Sequence, residues 1–192
     1  MNRRNLTLGA VAGVALAAGV GWSLYRRPAA LTASGNASPN MAPATAAAAS
    51  GAAGGDLWSL RFERPEGGEL VMASLRGKPL LINFWATWCP PCVREMPLLD
   101  GYAREYAPRG LQVLGLAVDG PSPVREYLRK TPVQFPIGLA GFAGSELARS
   151  LGNASGGLPF SVLFDADGKA VQHKLGETDL AELRSWAKAV GV

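Results

Sequence analysis

Leu80-Leu81-Ile82-Asn83-Phe84-Trp85-Ala86-Thr87-Trp88-Cys89-Pro90-Pro91-Cys92 is the stretch that decides how this chain folds. Its first six residues are nearly all apolar, the pattern of a short strand covered on both faces. Its last four contain the only two cysteines of the 192-residue chain. Beyond them, Met96, Leu99, Tyr102, Ala103 and Tyr106 recur at spacings of three and four, so residues 91–106 are expected to form a helix with one apolar face. The cysteines therefore stand where a buried strand gives way to a helix N-terminus. One helical turn holds both sulfurs within bonding reach, and the pair can pass between dithiol and disulfide without unfolding anything. Two thiols are too few for a structural zinc site, and a staple across so small a loop constrains the unfolded chain little. Free N–H groups and the helix dipole favour negative charge at Cys89, which makes it the expected nucleophile. Cys92, one turn in, is expected to be more buried and to act as the resolving thiol.

The run from Asn83 to Cys92, followed by Arg94-Glu95-Met96-Pro97, resembles the thioredoxin fold, and more narrowly the membrane-anchored TlpA-like and ResA-like thiol–disulfide oxidoreductases of bacteria. Gly157-Leu158-Pro159, ahead of a strand-like run over 160–164, matches that family's cis-proline segment. The resemblance covers the chain from Leu57 to its C-terminus. It implies an α/β thioredoxin-like fold: a central mixed β-sheet flanked by helices, with an N-terminal β-hairpin and a central βα insertion, preceded by one N-terminal transmembrane helix. It implies catalytic roles for Cys89, Cys92 and Glu95, substrate contacts at Trp88, Leu158 and Pro159, and a motif completed by Pro90 and Pro91. No cofactor beyond the redox-active disulfide and no metal is implied. The clients would be disulfides of exported proteins, and a membrane dithiol donor would recharge the enzyme; cytochrome c maturation is one use the family makes of this. Thioredoxin has a buried aspartate where this chain has Asn83, so that proton relay is expected to be missing. Glu95 matches the glutamate that the extracytoplasmic relatives carry shortly after the second cysteine; without that match it would read as an exposed helix residue.

The direction of electron flow follows partly from the motif. With Cys89 as N-cap, Pro90 and Pro91 fill the first helical positions, where proline is tolerated. Pro91 offers no N–H to a thiolate, leaving that of Cys92, and a carboxylate at Glu95 also disfavours the thiolate. Arg94 would act the other way unless it points to solvent. A less stabilised thiolate makes the disulfide less oxidising, so a reductant is expected. A disulfide-forming oxidase and a non-catalytic membrane-tethered module for thiols or copper are the competing readings. Copper binding would call on His173, the only histidine, but thioredoxin-fold copper chaperones space their cysteines by three residues. A peroxidase would need a threonine and proline upstream of a lone cysteine, which Ala86-Thr87-Trp88 does not supply.

Charge excludes a further class. The formal charge is +4, yet Arg3, Arg4, Arg26 and Arg27 supply the whole excess, so the stretch from Asp56 onward is balanced and carries no nucleic-acid footprint. Residues 1–4 read as a cytoplasmic N-terminus. Residues 5–25 lack charge and are long enough for one bilayer crossing, with Trp22 and Tyr25 suited to the interface. A cleaved signal sequence competes with that anchor, because Ala15-Leu16-Ala17 resembles a cleavage site, and Arg3-Arg4 loosely resembles a twin-arginine signal. Residues 26–55, mostly Ala, Ser, Gly and Pro, read as a flexible linker. Residues 56–192 are the catalytic domain, large enough for one core, expected in the periplasm and held to the cytoplasmic membrane by the single crossing.

Within that domain, 57–62 and 69–72 read as the strands of a hairpin turning at Pro65-Glu66-Gly67-Gly68. Residues 111–118 form a second buried strand parallel to 80–85. A helix at 123–130, a strand at 136–139 and a helix at 145–151 capped by Ser145 follow; the longer segment 120–152 is the expected insertion and is expected to shape partner recognition. Asp165-Ala166-Asp167-Gly168-Lys169 turns the strand at 160–164 into a partner. Thr178 is expected to cap a last helix, 179–190, with Leu180, Leu183, Trp186 and Ala187 on its apolar face.

Overall fold

A computed structural model describes residues 56–192. The expected N-terminus, anchor and linker, residues 1–55, lie outside the described residues. Among the described residues no helix is long and apolar enough to cross a membrane.

Seven strands make one mixed sheet: β1 (Arg61–Glu63), β2 (Glu69–Val71), β3 (Leu80–Trp85), β4 (Gln112–Ala117), β5 (Ile137–Leu139), β6 (Phe160–Phe164) and β7 (Ala170–Leu175), in the order β2-β1-β5-β4-β3-β6-β7. The centre is parallel, β3 against β4 and β4 against β5, while β6 and β7 run antiparallel on one side and the β1–β2 hairpin closes the other. All six residues of β3 are buried, as an apolar strand between two helical layers must be. A parallel neighbour requires a crossover, and α1 (Pro90–Tyr106) supplies it between β3 and β4. α2 (Pro121–Lys130), α3 (Ala143–Ser150) and α4 (Leu180–Ala189) complete the layers.

Alternation along the strands divides the core in two. Leu81 and Trp85 face α1 and α4, joining Cys89, Cys92, Met96, Leu99, Tyr102, Leu183 and Trp186. Leu80, Ile82 and Phe84 face the other way, toward Phe62, Met72, Leu116, Phe160 and Ala148 of α3. By the same alternation Asn83 points into the α1 layer. Its neighbours in register on either side are Gly115 and Ser161. At Gly115 a Cβ would lie 2.6 Å from Ile137 Cδ1 and 3.1 Å from Trp85 Nε1, so a larger residue would have to push the Ile137 side chain aside.

The elements depart from expectation at their ends. Residues 57–59 form a 3-10 turn rather than strand, because the Asp56 carboxylate accepts from the Trp58 N–H and closes the turn. α2 starts two residues early, at Pro121, where a proline needs no N–H partner. α3 starts at Ala143, and Ser145 is inside it rather than capping it; close packing of Gly144 on Ala140 and Val118 carries the helix back past the serine. Thr178 caps nothing either. Asp179 is the N-cap of α4, accepting from Glu182 N–H at 2.8 Å, and Thr178 has turned inward. The apolar face of α1 holds at Met96, Leu99, Tyr102 and Tyr106, with Ala103 at its half-buried margin.

Candidate active site

Cys89 is the N-cap of α1, in extended backbone, with Pro90 and Pro91 in the first turn. Its sulfur is bonded to that of Cys92, with the Cα atoms 5.3 Å apart. The Cys92 N–H donates to Cys89 Sγ at 3.3 Å, the one backbone donor that two prolines leave in reach. Cys92 is fully buried and Cys89 retains 5% exposure, so a partner sulfur meets Cys89 first. Beside it Trp88 is 62% exposed, whereas Trp85 is buried in the core.

The loop between β3 and Cys89 is tied down by Asp119 at the end of β4. One oxygen of its carboxylate accepts from the Thr87 N–H at 2.9 Å and from the Thr87 hydroxyl at 2.5 Å; the other accepts from the Gly120 N–H at 2.7 Å. Sequence reasoning missed this clamp, which joins residues 32 positions apart and carries no local pattern.

Glu95 follows Cys92 by three residues, hence lies on the same face of α1. It is buried, at 3% exposure. Its Oε1 accepts from the Thr178 N–H at 2.7 Å and from the Thr178 hydroxyl, and its Oε2 accepts from Asn83 Nδ2 at 3.2 Å. Asn83 Nδ2 also donates to Ser161 Oγ at 3.0 Å. Burial pushes the Glu95 carboxyl above its ordinary range; the bonds from Thr178 and Asn83 pull it back, and Glu177 nearby adds to the rise. Asn83, which lacks the acid of thioredoxin, is thus a partner of the carboxylate. A polar residue inside an apolar strand was the available signal, since buried polar groups find hydrogen bonds. Arg94 points outward and pairs with Glu177 instead of the sulfurs.

The Leu158–Pro159 bond is cis. Leu158 is half-buried against the core that contains both cysteines, and Pro159 is buried, its carbonyl accepting from the Gly176 N–H at 2.8 Å. His173 is exposed on β7 with its ring 6.2 Å from that of Phe160. Among the described residues no three His, Cys, Asp or Glu side chains gather as a metal-holding group.

The arrangement leaves one cysteine of the pair at the edge of the surface, buries the other fully, and keeps a carboxyl one turn below. It can accept or donate two electrons by thiol–disulfide exchange with a protein partner.

The profile of the Redoxin family matches residues 37–189. The chain is 31% identical over 126 residues to the thiol-disulfide oxidoreductase ResA of Bacillus thuringiensis, spanning 65% of this chain and 70% of that one. Among solved structures it resembles a thioredoxin-family thiol:disulfide interchange protein of Chlorobium tepidum, with 30% identity and a TM-score of 0.59 over 68% of this chain and 91% of the other. A secreted Mycobacterium tuberculosis disulfide oxidoreductase gives 25% identity and a TM-score of 0.57 over 69% and 96%.

Proposed function

This chain belongs to the Redoxin family and is a thiol–disulfide oxidoreductase acting on protein disulfides, and from that premise we propose that it is a reductant of exported proteins. Cys89, as thiolate, attacks one sulfur of the client disulfide and forms a mixed disulfide, releasing the other client sulfur as a thiolate. Cys92 then gives up its proton and attacks Cys89 Sγ. The client leaves as a dithiol, the enzyme keeps the Cys89–Cys92 disulfide, and a membrane dithiol donor returns two electrons. Glu95 takes and returns the proton. Trp88, Leu158 and Pro159 present the platform on which an extended client strand lies. Residues 5–25 anchor the domain, and 26–55 tether it, on the outer side of the cytoplasmic membrane. Its similarity to a relative described as secreted supports export, and cytochrome c maturation is the use to which the ResA resemblance points.

The observation that carries the reductant reading is the poverty of thiolate stabilisation at Cys89: one N–H donor, two prolines, and a buried carboxyl one turn beyond Cys92. A less stabilised thiolate lowers the potential of the disulfide. Equilibration with a glutathione or dithiothreitol series tests it. A value near that of thioredoxin, about −270 mV, is expected; one near about −120 mV, as for a strong oxidant, would make the protein an oxidase. Turnover with a dithiol donor separates both enzymes from a module that only binds thiols.

A further inference from the structure

The Glu95 carboxyl is closed on both sides, and the two sides differ in what they can do. Oε1 accepts from the Thr178 backbone N–H and hydroxyl. A backbone N–H cannot become an acceptor, so Oε1 accepts in every protonation state. Oε2 faces Asn83, whose Nδ2 donates to it. A proton on Oε1 would have to reverse the Thr178 hydroxyl, whereas a proton on Oε2 leaves both Thr178 bonds as they are and points at the Asn83 donor. A side-chain amide carries a donor at one end and an acceptor at the other, so half a turn about its terminal bond exchanges them. Behind Asn83 stands Ser161, its cross-strand partner, now accepting from Nδ2 at 3.0 Å. A hydroxyl serves in either direction as well.

We propose that Asn83 is a positioning residue that adapts the site to both charge states of Glu95. This rests on the reading of Glu95 as proton carrier. When Glu95 is ionised, Asn83 Nδ2 donates to Oε2 and to Ser161. When Glu95 holds the proton that a cysteine thiol gives up on becoming a thiolate, the amide turns over. Asn83 Oδ1 then accepts from Oε2–H and from the Ser161 hydroxyl. Only hydrogen bonds are exchanged in the turn. Other charged and titratable groups surround the carboxyl: Glu177 and Lys174 from β7 and the loop after it, Arg94 and the two cysteines on α1. Arg94 is paired with Glu177 and Lys174 with Glu182, which leaves Oε2 to Asn83. Leucine at 83 would strand Oε2 in both states. Aspartate there would set a second carboxylate against the first.

The test is a pH titration of the full-length dithiol protein by NMR, following the Glu95 carboxyl carbon and the Asn83 side-chain amide, in wild type and Glu95→Gln. Above the Glu95 midpoint the amide protons should show NOEs to the Ser161 β-protons. Below it these should be lost. In Glu95→Gln they should be absent at every pH, because the amide introduced by that substitution donates where the carboxylate accepted. NOEs that persist through the titration overturn the proposal. The outcomes separate it from the proton role itself. Slower turnover of Glu95→Gln with an unturned Asn83 amide removes the adapter alone. A turned amide with unchanged turnover supports the adapter and removes the proton role.

Discussion

At the scale of single residues the two sulfurs differ in access, and that difference predicts what each removal does. Cys92→Ser leaves the reachable nucleophile without a resolving partner, so mixed disulfides through Cys89 should accumulate and be visible on non-reducing gels. Cys89→Ser should trap far less, since Cys92 is fully buried; equal trapping would reverse the assignment of the nucleophile. Glu95 makes a prediction in pH. Burial holds its carboxyl above the ordinary value of 4.5, so the folded state binds a proton more readily than the unfolded one. Above the folded value the buried carboxylate weighs fully against folding. As pH falls through that value toward 4.5 the folded protein is protonated first, and this contribution to stability rises; below both values it is constant. Glu95→Gln has no such term. Its melting temperature should exceed that of wild type near pH 8, and the difference should shrink as pH falls to about 4.5. A difference that does not change with pH would mean that Glu95 does not titrate in this range. Near neutral pH the same variant should turn over more slowly, read as the rate of client disulfide reduction.

At the scale of elements, α1 is held along its buried face and at its mouth by different means. Along the face, Leu99 is fully buried and the Tyr102 hydroxyl donates to the Leu183 carbonyl of α4 at 3.1 Å. Leu99→Ala should cost about 2–5 kcal/mol of unfolding free energy and leave the reduction potential unchanged, measured by denaturant titration and redox equilibration. At the mouth, Asp119 takes three donors. Asp119→Ala leaves the Thr87 and Gly120 N–H groups unpaired, at about 1–3 kcal/mol for each that stays buried. It should also slow reduction of a protein disulfide more than that of a small disulfide reagent, because the loop that presents Trp88 is no longer held. Equal loss on both substrates would mean that the clamp serves the thiols and not the client. The helix starts obey the same competition. A serine or threonine caps a helix only when nothing else claims its position, and the packing of Gly144 and the carboxylate of Glu95 claim these two.

At the scale of the whole molecule, the sheet has two ends with different business. The disulfide lies past the C-terminal end of β3, and Leu158–Pro159 lies just before β6 at the same end. The described chain begins at the other end, where Trp58 packs edge-on against Phe164, the last residue of β6, with the ring centroids 5.7 Å apart, and meets the turn glycine Gly168, whose φ is +82°. The length of β6, roughly 13 Å at 3.3 Å per residue, separates them. With residues 5–25 as the anchor, protease added to spheroplasts should digest residues 56–192, and the intact protein should sediment with membranes. Protection would contradict the topology, and release into the soluble periplasmic fraction would contradict an uncleaved anchor.

Residues 80–106 by themselves determined a buried strand, a cysteine pair at a helix mouth and the apolar face of that helix; the rest of the fold was implied by the resemblance those residues carry. An apolar strand, a cysteine pair and an amphipathic helix in that order admit few arrangements, and each is written in neighbouring residues. Period two along β3 put Asn83 on one face with Leu81 and Trp85, but the layer that this face meets was decided by the fold. The sequence also determined that Cys89 would cap α1 and that two prolines would leave the Cys92 N–H as its donor, because a cap is a matter of three consecutive residues. What only the tertiary structure decided is the company of Glu95 and of Thr87. Thr178 lies 83 residues from Glu95, Ser161 lies 78 from Asn83, and Asp119 lies 32 from Thr87. Local patterns cannot specify such pairs, because sheet order and register bring them together. Their physical cause is burial: a carboxylate taken from water must find donors among whatever the fold places beside it.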